Sequence, residues 1–145
     1  MTAELMYPAA RMDVMHALAC LADSEYQWSV WVKREFPIDA YYGSFTQTIN
    51  TLFDDWAVLP DPSSWIGLAI FDGREVPRLR SLGATLDMLI DELGEADDEC
   101  YLRDSRWATV LDQAGSALTA MVLAGGFDYR QLAANEKRQP PRWIF

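Results

Sequence analysis

Between Pro8 and Ala22 apolar side chains return every three or four positions, at Met12, Met15, Leu18, Ala19 and Ala22, which lines them along one side of a helix. Pro8 suits the first turn of that helix, where a backbone N–H would have no partner anyway. Asp23 or Ser24 supplies a cap for a second helix through Tyr26, Val30 and Lys33, with Trp28 and Trp31 beside them, to about Arg34. Trp28, Val30 and Val32 also alternate as a strand would, so the period leaves both readings of this stretch open. Phe36-Pro37 closes it, because a residue before proline is driven out of the α region.

After a loop at 38–43, Ser44-Phe45-Thr46-Gln47 has the form of a capping box. Phe45, Ile49, Leu52, Phe53 and Trp56 follow at the helical period and predict a third helix over about 45–55. Leu59-Pro60-Asp61-Pro62 stops it, since two prolines remove donors and fix dihedrals. Ser63 to Phe71 is ambiguous: the serines could cap a short helix, while Ile66, Leu68 and Ile70 alternate like a short strand near 65–71. A lone strand has no evident partner, which favours the helix. Asp72-Gly73-Arg74-Glu75 is a second cap pattern, and Val76, Leu79, Leu82, Leu86, Leu89, Ile90 and Leu93 form an apolar stripe behind it, closed by Gly94. An acidic linker, Glu95 to Asp104, leads to a last long helix capped by Asp104 or Ser105. It carries Trp107, Val110, Leu111, Ala114, Leu118, Met121 and Val122 and is ended by Gly125-Gly126. The whole predicts a mainly α fold, a single-domain irregular helical bundle of about five helices, with room for one short strand near 65–71.

At 145 residues the chain has the length of one domain. Its 12 basic and 22 acidic side chains leave a net charge of -10, which disfavours nucleic acid as a partner. The charge is uneven. Residues 1–126 hold 8 basic and 20 acidic groups, whereas 127–145 hold 4 and 2 and finish in Trp143-Ile144-Phe145, so an acidic helical domain is followed by a basic, aromatic tail. Cys20 and Cys100 belong to no Cys-x-x-Cys pair and read as free thiols in a reducing compartment. With no basic n-region and no apolar run near the roughly 18 residues of a membrane span, a cytoplasmic protein without a membrane partner is expected.

The densest chemical feature is acidic. From Asp87 to Asp104 eight carboxylates face one Arg103, and Asp87, Asp91 and Glu95 recur at four-residue spacing on one helix face or its extension, at some cost from like-charge repulsion. Asp87, Asp91, Glu95, Asp97, Asp98 and Glu99 are therefore candidate contacts for a basic protein partner; a solvated face that keeps the chain soluble is the plainer reading. Asp54 and Asp55 are added to the candidates because they sit at the negative end of a helix dipole, where Arg78, Arg80 or a partner's cation would be needed to compensate. Asp91-Glu92-Leu93-Gly94-Glu95 superficially resembles half of the magnesium site of all-α nucleotide pyrophosphohydrolases. The second half is missing, since the last helix offers Asp112 alone. His16 is the only histidine and defines no triad, and neither a Walker loop nor a dinucleotide fingerprint occurs. No catalytic set, metal or cofactor is expected.

Tyr26-Gln27, Val30-Trp31-Val32, Leu52-Phe53-Asp54-Asp55, Val58-Leu59-Pro60-Asp61-Pro62, Gly67 with Glu75-Val76, the leucine-rich helix to Gly94 and Tyr101-Leu102 with Asp104 and Arg106-Trp107 together resemble an uncharacterised family of small acidic bacterial helical proteins over about residues 11–123. That resemblance implies fold class and a bacterial cytosolic origin, and brings no site residues. The function expected from the residues is a non-catalytic protein-binding module, most concretely an immunity-type inhibitor that occludes a basic toxin or effector through its acidic surface. The alternatives are a magnesium-dependent pyrophosphohydrolase-like enzyme and a homodimeric accessory protein joined through its aromatic side chains.

Overall fold

The computed structural model describes residues 5–35, 44–71 and 73–125. The expected loop at 38–43, the Pro37 stop, Asp72, Gly126 and the tail at 127–145 lie outside the described residues. Helix α1 (Pro8–Ala22) buries Ala10, Met12, Val14, Met15, Leu18, Ala19 and Leu21 among others, so it is covered nearly all round rather than along one stripe. A helix apolar on all sides belongs in the interior. Here α1 packs against α6 (Trp107–Ala124) on one side and against the 45–55 segment on another, while α6 also packs against α4 (Glu75–Leu93).

Asp23 caps α2 (Ser24–Tyr26) by accepting the Tyr26 N–H at 3.0 Å. The chain continues as a π-helical stretch, Gln27–Val32, with Lys33 N–H donating to the Trp28 carbonyl at 3.0 Å. The strand alternative for this region is thus replaced by a helix that ends at Val32, just before Arg34 turns left-handed at φ 61. Ser44 Oγ accepts the Gln47 N–H and starts α3 (Phe45–Asn50), which loosens into a second π-helical stretch at Thr51–Asp55. The turn that follows passes through Ala57 at φ 51, and Leu59 N–H closes back on the Leu52 carbonyl at 3.1 Å.

No strand forms at 65–71. A 3₁₀ turn occupies Pro62–Trp65, and Ile66 and Ile70 make only an isolated bridge, because Gly67 at φ 82 folds the segment into a turn closed by Gly67 N–H on the Ile70 carbonyl at 2.9 Å. The outside of this turn takes the Met6 and Tyr7 N–H groups on the Gly67 and Leu68 carbonyls, at 3.1 and 2.7 Å. The expected acidic linker is not a linker: it contains α5 (Asp98–Arg103), capped by Asp97, whose side chain accepts the Cys100 N–H. Across the core the aromatic rings interlock. Phe45 stacks on Tyr101 at 4.2 Å, and Trp31 stands edge-on to both Phe45 and Trp107.

Candidate functional site

The acidic end of the molecule is built where α4 stops. Gly94, at φ 55, ends the helix, and its carbonyl accepts the Tyr101 hydroxyl at 2.6 Å, which ties α5 to the end of α4. The eight carboxylates from Asp87 to Asp104 then separate by what they touch. Asp97 is the cap of α5, and its hydrogen bonds with the Cys100 side chain and backbone hold its carboxyl below the usual range. The same contact pushes the Cys100 thiol up, with Glu99 adding to the effect. Asp98 is half-buried and accepts the Phe45 N–H at 3.3 Å; burial pushes its carboxyl up despite that bond. Glu99 pairs with Arg103 one turn later at 3.2 Å, and the Arg103 guanidinium lies over the Trp28 ring at 5.3 Å.

Asp104 receives three hydrogen bonds from Arg106, one from its backbone and two from its guanidinium, and these lower its pKa to about 2. Arg106 also pairs with Glu92, so one cation closes the end of α4 onto the start of α6. Asp87, Asp91 and Glu95 remain. All three are exposed and make no hydrogen bond or ion pair among the described residues. Asp87 and Asp91 stand on α4 itself, while Glu95 lies past its end. Asp97, Asp98 and Glu99 are thus partly occupied in holding the local structure, a division that carboxylate spacing did not reveal.

Asp54 and Asp55 are exposed at the end of the second π-helical stretch, an element packed against α1. They share no contact with the α4–α5 carboxylates among the described residues, and neither Arg78 nor Arg80 supplies the compensation expected of them. Arg78 instead donates to Ser116 Oγ and the Arg74 carbonyl, and Arg80 to Ser63 Oγ. Among the described residues no three His, Cys, Asp or Glu side chains converge on a point that could hold a metal ion.

Two buried polar centres had no expectation attached to them. Arg11, fully buried on α1, pairs with buried Glu75 through two hydrogen bonds of 2.8 Å. Its remaining donors reach the Ala69, Met121 and Gly125 carbonyls at 2.7–3.0 Å, so all five N–H groups are satisfied. Glu75 Oε1 accepts the Phe71 N–H as well, and the Phe71 ring lies 4.7 Å from the guanidinium carbon. Asp72, the cap expected from the pattern at 72–75, lies outside the described residues; α4 starts at Glu75 with Arg74 in the cap position and no side-chain cap, and the glutamate binds Arg11 of α1 and the Phe71 N–H instead. Gln27 is the second centre. Its amide nitrogen donates to the Cys20 and Leu21 carbonyls at the end of α1, and its oxygen accepts the Trp107 indole N–H at 2.9 Å. The available signals were a charge set among apolar positions of α1 and the Tyr26-Gln27 pair quoted above.

A family model described as a domain of unknown function (DUF7945) matches residues 5–128. The chain belongs to the DUF7945 family. The match takes in all of α1 to α6, including the Arg11–Glu75 pair and the acidic end. No curated protein and no solved structure matches the chain. Among the described residues no helix is long and apolar enough to cross a membrane.

Proposed function

We propose that this DUF7945 protein is a non-catalytic protein-binding module whose acidic end, at the close of α4, receives a basic partner. The observation that carries the reading is the state of Asp87, Asp91 and Glu95: exposed, unpaired among the described residues, with Asp91 and Glu95 at the helix C-terminus where the dipole already places negative potential. Carboxylates so placed lower stability, and a facing cationic surface converts that penalty into attraction. An immunity-type inhibitor that covers the nucleic-acid-binding face of a basic toxin is the most concrete form of this reading. The protein would act by steering and occlusion, and its partner by presenting Lys and Arg.

The test is association with the product of the adjoining gene, followed by stopped-flow fluorescence at two salt concentrations. The expected association rate falls about tenfold or more as salt rises, and falls similarly in a D87N/D91N/E95Q variant at low salt. A variant that associates as fast as the wild type would remove the acidic end from the interface. The homodimer alternative draws less support, since Trp31 and Trp107 are buried and Trp56 and Trp65 pack edge-on against one another.

A further inference from the structure

Where α4 starts and α6 stops, exposed apolar side chains gather around one buried cation. Arg11 holds the Ala69 and Gly125 carbonyls on a single guanidinium, at 3.0 and 2.7 Å. Tyr7 stands one turn before it, its carbonyl accepting the Arg11 N–H, and the Met6 and Tyr7 N–H groups donate to the Gly67 and Leu68 carbonyls next to Ala69. Met6, Tyr7 and Ile66 are exposed there, and so is Leu123, at 74%, two residues before Gly125. Among the described residues the other large apolar side chain left this open is Met88, on the far half of α4. Single exposed hydrophobic side chains are ordinary, but four at one end of a molecule mark a contact surface. The chain leaves the described residues at this same end. Gly125 closes α6 at φ 80, with its N–H on the Met121 and Val122 carbonyls and its own carbonyl on Arg11, so the point of departure is fixed. Phe127-Asp128-Tyr129-Arg130-Gln131-Leu132 follow, three large apolar side chains within seven positions of that exit.

We propose that residues 127–132 of this chain cover that surface in cis, with Phe127, Tyr129 and Leu132 laid against Leu123, Ile66, Met6 and Tyr7. Two arguments select this occupant over a separate partner. The first is reach. An extended chain advances at most about 3.6 Å per residue, so seven residues span roughly 25 Å, about two helix diameters, and α1 is the direct neighbour of α6. The second is tethering: a segment joined to its site by a few residues is present there at an effective concentration in the millimolar range, so apolar contacts too weak to hold a free peptide suffice. The covered surface lies at the opposite end of α4 from the acidic one. It therefore stands independently of the reading above and leaves the carboxylates open to a basic partner.

The experiment is limited proteolysis of the full chain with chymotrypsin, which cuts after large apolar and aromatic residues, the fragments being read by mass spectrometry. Cleavage after Phe127, Tyr129 and Leu132 is expected to be about tenfold slower or more than in a free peptide of residues 124–136, and equally slow at every protein concentration. L123S and I66S/L123S should each bring the rate back toward that of the peptide. M88S, which alters an exposed apolar side chain elsewhere, should leave it at the wild-type value. Leu123 lies outside the buried core, so L123S should keep its helical circular dichroism and cooperative melting, which separates a lost cover from a lost fold. Wild-type cleavage at the rate of the peptide overturns the proposal, as do L123S and I66S/L123S variants cut no faster than the wild type. Protection that fades on dilution, with a dimeric mass by light scattering, overturns it as well by assigning the surface to a second copy of the chain.

Discussion

Arg11 and Glu75 are placed so that each charge meets a helix end of the sign it prefers. The guanidinium donates to the Met121 and Gly125 carbonyls at the end of α6, where the dipole is negative, and the carboxylate lies in the first turn of α4, where it is positive. Burying two ions is expensive, and the complete set of hydrogen bonds is what makes it tolerable. Removing one partner is therefore far worse than removing both. In urea denaturation R11M should lose about 3–5 kcal/mol, because it strands the Glu75 carboxylate, and R11M/E75M should recover much of that loss. A double variant no more stable than R11M would mean that the carbonyls, rather than the carboxylate, dominate the site. Asp98 gives a second prediction at this scale. Burial raises its pKa above 3.8, so the folded state favours the protonated form, and its unfavourable contribution sets in as pH rises through the carboxylate range to the raised folded value. D98N can still accept the Phe45 N–H and should raise the melting temperature at pH 7, with the gain shrinking toward pH 3. Asp104 has the opposite sign: its contribution is complete above 3.8 and is lost as pH falls through about 2. The pairing of Arg11 with Glu75 was not legible in the sequence. Periodicity ranks positions by hydropathy, and a charge whose partner lies 64 residues away looks like an error in the stripe until the fold brings the two together.

At the scale of elements, the long helices were legible because their apolar period runs unbroken for several turns, as it does from Val76 to Leu93. The segment at 45–55 was legible as a helix, whereas that at 24–32 read equally as helix or strand, and neither showed its π-helical stretch, since the wider turn shifts the phase within a few residues, too few to measure from apolar positions. At 63–71 the preferred short helix forms only as the 3₁₀ turn Pro62–Trp65, and the strand alternative fails because Gly67 takes a left-handed conformation and Ile66, on the near side of the turn, is 41% exposed while Ile70 is buried. Helix glycines show how tertiary contact decides the sign of one substitution. A Cβ on Gly83 would stand 3.0 Å from the Leu59 carbonyl oxygen, so α4 crosses the 58–60 turn only because that position has no side chain. A Cβ on Gly115 would meet nothing within 4 Å. G115A should stabilise the protein by up to about 1 kcal/mol through helix propensity, whereas G83A should destabilise it because a backbone atom must move. Thermal denaturation of the two variants side by side checks this, and a stabilised G83A would show that α4 has room to shift away from the turn.

The whole molecule carries its charge as an arrangement rather than a total. Carboxylates near the end of α4 repel one another and the dipole, arginines near its start repel the dipole as well, and the buried pair contributes no net charge to either end. The stability of the fold should then depend on ionic strength in a way the net charge of -10 alone does not specify. Raising salt from about 20 to about 500 mM shortens the screening length from roughly 20 Å to roughly 4 Å, which weakens every exposed repulsion and leaves the Arg11–Glu75 pair nearly untouched. The melting temperature of the wild type should rise over that range. D87N/D91N should start higher at low salt, by a few tenths of a kcal/mol for the i,i+4 repulsion and somewhat more for the dipole, and should gain less from added salt. If the two curves rise in parallel, the salt response comes from elsewhere on the acidic body and the two carboxylates are adequately solvated where they stand. If they converge at high salt, Asp87 and Asp91 are held at a stability cost that the isolated protein recovers only by screening, as a surface awaiting positive charge requires.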